Sequence, residues 1–151
     1  MSDGKDVPLL PRCGSGLRRM GAITITVVAA VIEDVDRFLV TRRQPGTHLA
    51  GMWEFPGGKI DAGETHKAAL RRELMEELGV DADVGACVHR TEHAYPDRSI
   101  ELYFYRCELN GAPRPELGQE MRWVPREELR ALGFPPADTE LIDMLTSSDG
   151  R

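Results

Sequence analysis

Hydrophobic and polar positions along the chain set out a run of strands, one strongly helical stretch, and more strands. Residues 22 to 32, AITITVVAAVI, are β-branched and apolar on both faces, which predicts a central strand covered on two sides. Glu33-Asp34-Val35-Asp36 interrupts the run as a turn, and RFLVT at 37 to 41 predicts the strand that pairs with it. After Arg42-Arg43 comes a polar loop, QPGTHLAGM, placed as a rim to whatever lies beside it. Trp53-Glu54-Phe55 predicts a short strand that delivers Gly57-Gly58. The period then changes. Leu70, Leu74 and Leu78 recur at helical spacing, Thr65 suits the N-cap, and Gly79 suits a left-handed C-terminal stop. Residues 82 to 92 alternate weakly, as a strand would, and His93 to Arg98 reads as a loop. SIELYFYRCE at 99 to 108 sets Ile100, Leu102 and Phe104 against Glu101, Tyr103 and Tyr105, predicting a half-buried strand. Met121 to Val124 is a last short strand. Pro125 opens a helix that REELRAL continues for about two turns. Phe134-Pro135-Pro136 reads as a rigid linker, and Thr139 to Leu145 as a terminal amphipathic helix.

Strands interrupted by a helix and followed by helices predict an α/β class with a mixed sheet between helical layers. One domain is expected over 21–147. Residues 1–20, rich in Gly, Pro, Ser and Arg without periodicity, read as a disordered or loosely attached tail. No internal repeat is present.

The helical stretch also carries candidate chemistry. Glu76 and Glu77 follow Glu73 by three and four residues, so the three carboxylates share one helix face. Like charges so close repel, and a hard divalent cation removes the repulsion, because Mg²⁺ prefers carboxylate and carbonyl oxygen. Gly57-Gly58 permits a sharp turn and close approach of backbone carbonyls to a metal. A solvated acidic helix would explain the glutamates alone. It would not explain two glycine turns, Glu64 and Arg72 at fixed offsets.

Charge narrows the partners. With 19 basic against 25 acidic residues the net charge is −6, and no basic block exists, which argues against a nucleic-acid polymer. An anionic substrate would then need a bridging metal. Cys13, Cys87 and Cys107 are too few and too scattered for a disulfide framework or a zinc site, so free thiols in a reducing cytoplasm are expected. No apolar run is long enough to span a membrane, and no signal-peptide core is present.

The spacing Gly58, Glu64, Arg72-Glu73-Leu74, Glu76-Glu77, Gly79-Val80 resembles the Nudix box at every fixed position. The resemblance implies the Nudix fold, an α/β/α sandwich, and hydrolysis of a diphosphate linked to another group. TRR at 41 to 43, His48, EFPGGK at 54 to 59, PDR at 96 to 98 and FPPA at 134 to 137 resemble the MutT branch, which converts oxidised guanine nucleoside triphosphates such as 8-oxo-dGTP to monophosphate and pyrophosphate.

The resemblance also assigns roles. Gly57 (through its carbonyl), Glu73, Glu76 and Glu77 would bind Mg²⁺, or Mn²⁺, and one of the glutamates would serve as general base. Glu64 and Arg72 would hold the box loop, with Gly58 and Gly79 structural. Arg43 and Lys59 would meet phosphate or sugar, and Phe55, Tyr95, Arg98 and Asp138 the base. Two positions depart from the branch. A further metal-binding glutamate is expected at Leu117, with Glu116 and Glu120 its neighbours, and the asparagine expected after FPPA is Asp138. The latter opens an alternative, hydrolysis of CTP, dCTP or 5-methyl-dCTP. A non-catalytic ligand-sensing module and a nucleotide-sugar hydrolase are the remaining readings. The expected partner is a nucleoside triphosphate, with the protein acting as monomer or homodimer.

Overall fold

The computed structural model describes residues 23–147. The stretch read as a tail, residues 1–20, lies outside the described residues. Strand β1 (Ile23–Asp34) is the spine of the molecule. Ile23 to Ile32 pair in parallel with Arg98 to Cys107 of β6 (Arg98–Leu109), while Val27 to Ala29 pair antiparallel with β4 (Gly57–Lys59) on the other edge. Its end turns through Val35 and Asp36, both at positive φ (50° and 64°), into β2 (Arg37–Arg42). Two successive residues in that region are what a tight right-twisted hairpin requires. Strand β2 also carries β3 (Trp53–Glu54) and β7 (Met121–Pro125), and β5 (Ala82–Tyr95) closes the far edge against β6. The sheet is mixed, as the sequence predicts.

Each face of the sheet supports its own core. Helix α1 (His66–Leu78) lays Ala69, Leu70, Leu74 and Leu78 on Val28, Ala30, Ile32 and Leu39. Helix α2 (Thr139–Thr146) lays Leu141, Ile142 and Leu145 on the opposite face, against Val31, Phe38, Val40, Phe55 and Phe104. Val28, Ala30 and Val31 are completely buried, which is why β1 reads as continuously apolar. No helix among the described residues is long and apolar enough to cross a membrane.

Three local expectations need correction. The loop expected at His93 to Arg98 is a two-residue hairpin, because β5 runs to Tyr95 and that residue pairs with Arg98. REELRAL forms a 3-10 helix over Arg126–Ala131, not an α-helix. The Glu101–Tyr105 side of β6 is packed rather than wet. Tyr103 and Tyr105 join the α1-side core, and His66 Nδ1 lies 2.8 Å from the Tyr105 hydroxyl.

Arg126 fixes the 3-10 helix to the rest. Its buried guanidinium donates to Glu33 (2.5 Å), to Asp36 (2.7 Å) and to the Leu145 carbonyl (2.7 Å), and lies over the Phe38 ring. One side chain thus joins the β1–β2 turn to α2. Arg126→Ala removes these bonds and strands a carbonyl, so urea unfolding should show a loss of about 2–3 kcal/mol. A loss under about 0.5 kcal/mol, the level of an ordinary surface change, would refute that role.

Candidate active site

The acidic helix is placed from both ends. Thr65 accepts a bond from the Ala68 amide (3.1 Å) and starts α1. At the other end Gly79 adopts φ 66°, and the strand-free segment after β6 covers the last carbonyls. Arg114 N–H donates to Leu78 (2.9 Å), and both Glu116 N–H and Gln119 Nε2 donate to Glu77 (3.0 Å each). Facing the helix, Gly57 and Gly58 sit on β1 opposite Ala29 and Val28. A Cβ on Gly57 would collide with the Val28 carbonyl, and one on Gly58 would land on the Glu73 carboxylate. These two glycines let the acidic face press against bare backbone.

Glu73 and Glu77 meet there. Glu77 hydrogen-bonds Glu73 and accepts from the Gly57 amide, and Glu54 on β3 is close enough to add its charge. Burial first, then Glu73 and Glu54, push the Glu77 carboxyl well above the ordinary carboxylate range. Glu54 is also raised by burial, partly offset by Arg43, whose Nη1 donates to it at 2.7 Å. Glu76 points elsewhere: its side chain is 56% exposed and lies 3.4 Å from Arg72. Arg72 is the organiser of the box. It forks onto Glu64 (2.7 and 2.9 Å), touches Glu73 (3.1 Å), and donates to the Lys59 carbonyl (3.1 Å). Glu64 in turn accepts from the Asp61 amide, closing the loop before the helix. The Lys59 side chain itself is exposed.

Residues named for the missing glutamate are committed to other partners. The Glu116 carboxylate lies on Gly79 and pairs with Arg114 (3.0 Å), Glu120 pairs with Arg42 (2.8 Å), and Leu117 faces outward. Glu54 is the further acidic residue whose charge reaches Glu77. In the sequence it reads only as the middle of the short strand Trp53-Glu54-Phe55. The signal was the period of two, since Trp53 and Glu54 must face opposite sides and Trp53 belongs to the α2-side core.

On the α2 side the rings form a wall. Phe134 stacks on Phe55 (5.4 Å between centroids, 22° between planes), and Phe104 meets Phe55 edge-on at 5.9 Å. Phe55 is therefore a buried ring with its face already covered, and Phe134, expected to be only linker, presents the outer ring. Asp138 follows within a 3-10 turn and is 5% exposed. Among the described residues its carboxyl accepts no capping bond from α2, and burial, then Glu54, push its pKa up to about 7. Tyr95 and Arg98 pair with each other at the β5–β6 turn, the guanidinium 6.0 Å from the ring centroid. They lie six strand positions from the His89–Phe104 pair, roughly 20 Å along the sheet.

The donors are hard oxygens carrying excess negative charge, and that suits a divalent cation such as Mg²⁺. No three acidic, His or Cys groups among the described residues close into a finished cage. An ion that keeps several of its own waters needs none.

A family model described as NUDIX domain matches residues 27–144. The chain belongs to the Nudix family. A Haemophilus influenzae protein named 8-oxo-dGTP diphosphatase is 42% identical over 123 residues, covering 80% of this chain and 90% of that one. An Escherichia coli protein named CTP pyrophosphohydrolase is 36% identical over 120 residues, covering 79% and 89%. The solution structure of the E. coli ORF135 protein superposes with a TM-score of 0.73 at 35% identity, covering 81% of this chain and 88% of that one. The protein is thus a Nudix hydrolase, and the Nudix box is the stretch that holds Glu73 and Glu77 against Gly57 and Gly58.

Proposed function

We propose that this Nudix hydrolase converts nucleoside triphosphates, oxidised guanine nucleotides among them, to monophosphate and pyrophosphate in a Mg²⁺-dependent reaction in the cytoplasm. The observation that carries the proposal is the hydrogen-bonded Glu73–Glu77 pair on the Gly57–Gly58 backbone, with Glu54 near enough for its charge to act on both Glu77 and Asp138. Glu73, Glu76, Glu77 and the Gly57 carbonyl would hold the metal, with Arg72 releasing Glu76 to it. When bound, the metal neutralises phosphate charge and acidifies water. The protein's own residues do the rest. Arg72 and Glu64 hold the helix in register with the glycine turn, Arg43 offers a guanidinium to phosphate or sugar, and a carboxylate of the acidic cluster takes the proton from the attacking water. Phe134 offers the base a face, Asp138 its edge, and Tyr95 and Arg98 form the outer end of the same sheet face.

Asp138 favours a second substrate class. An ionised aspartate accepts from the N4 amino group of cytosine, and the CTP pyrophosphohydrolase of E. coli lies nearly as close as the diphosphatases. A product assay over oxidised and normal purine triphosphates, cytidine triphosphates and nucleotide sugars tests the whole reading. Monophosphate and pyrophosphate should appear from 8-oxo-dGTP and from dCTP with Mg²⁺. Cleavage of nucleotide sugars alone, or of nothing, would overturn it.

A further inference from the structure

Strand β5 ends the sheet, with β6 on one side and no strand among the described residues on the other. At 14 residues it is long for an edge. Edges are ordinarily defended by bulges, proline, lysine or short length, because their open amides and carbonyls pair with any second strand. Here the two register irregularities fall between Val84 and His89 only. From His89 to Tyr95 the pairing with β6 is regular, and the segment HRTEHAY contains neither lysine nor proline. Among the described residues, half of β5 is therefore a regular edge that no other strand covers.

We infer that this edge pairs with the same edge of a second copy, antiparallel about a twofold axis centred on Thr91. Among the registers centred on Arg90, Thr91 and Glu92, the charge pattern favours a second copy of this strand centred on Thr91. A twofold axis normal to the sheet keeps each face on its own side, so only residues of equal parity can stand opposite each other. Arg90 and Glu92 both lie on the α1 side, both exposed, Arg90 bonded to Tyr103 Oη at 3.2 Å and Glu101 at 3.3 Å. Arg90 is also 3.5 Å from Glu92 of its own chain, a same-strand pair that a facing strand would extend to the second copy. Centring on Arg90 puts arginine against arginine. Centring on Glu92 puts glutamate against glutamate. Centring on Thr91 puts Arg90 against the partner's Glu92 twice over, once on each side of the axis. Opposite charges directly across a strand pair stabilise it and like charges oppose it. The same register places the exposed Tyr95 beside the partner's strand.

Sedimentation velocity on the full chain across a concentration series reads this out. The wild type should shift to the dimer as concentration rises. Glu92→Arg sets arginines against each other and should weaken self-association roughly tenfold or more, as expected for two contacts turned from attraction to repulsion. Arg90→Glu should do the same. An equimolar mixture of the two single variants restores Glu–Arg pairs at both positions, and should associate as a heterodimer more tightly than either variant alone. Circular dichroism and melting temperature verify that each variant is folded. Glu92→Arg keeps Glu101 beside two arginines and is the variant that decides if Arg90→Glu fails to fold. A wild type that stays monomeric throughout, or variants whose association is unchanged, would overturn the inference.

Discussion

Glu73→Gln and Glu77→Gln should each lower kcat with Mg²⁺ by on the order of 10²–10⁴ while leaving the fold intact. Glu73 lies against Gly58, touches Arg72 and hydrogen-bonds Glu77, so its carboxylate ties the acidic face to both the glycine turn and the arginine of the box. The two variants should differ in stability. Without metal, Glu77 binds its proton more tightly folded than unfolded, because burial and Glu73 disfavour its charge. A carboxyl raised in this way costs the folded state stability as pH climbs above its ordinary value of 4.5. The chelated wild type should therefore lose melting temperature from pH 5 upward. Glu77→Gln, which cannot ionise, should flatten that decline and lose the stabilising response to added Mg²⁺. Near-normal turnover in both variants would remove the cluster from the chemistry. A wild-type melting temperature flat in pH would show that Glu77 is not buried as described.

Base choice should move with pH. Asp138 titrates near 7 because it is buried, and Glu54 adds to the shift. Below that pH the neutral acid can donate a hydrogen bond to O6 of an oxidised guanine and accept from its N7–H. Above it the carboxylate only accepts, which suits the cytosine amino group and repels O6. The ratio of kcat/KM for 8-oxo-dGTP over dCTP should fall as pH rises from 6 to 9, by roughly ten- to a hundredfold, the value of one bidentate base contact. Asp138→Asn cannot ionise and both donates and accepts, so it should hold the ratio high at every pH. If the parent's ratio does not move and the variant matches it, Asp138 does not read the base.

What the sequence disclosed was local. The β1–β2 hairpin, the cap at Thr65 and the stop at Gly79 each depend on residues within a few positions of one another. Pairs fixed by motif spacing, such as Arg72 with Glu64, also appear where expected. What escaped was set by distant chain. The charge of Glu54 reaches Glu77 because β3 pairs with β2 while α1 packs on the sheet, and no short window contains both facts. Tyr103 and Tyr105 alternate like solvent-facing residues, yet the first turn of α1 brings His66 down on them. Phe134 looked like linker because its stacking partner, Phe55, lies far upstream.

The parallel pairing of β1 with β6 carries a consequence for how the enzyme is made. Ile23 meets Arg98 across 75 positions of chain, and the same strand β1 holds Gly57 and Gly58 on its other edge. Closing so long a loop costs chain entropy before any contact repays it, so the rate-limiting event in folding is expected to be this strand docking rather than formation of α1. Until β1 is seated, the glycine turn has nothing to lie on. In refolding from urea, helical circular dichroism should therefore return ahead of turnover, and catalytic competence should arrive together with the β1–β6 pair.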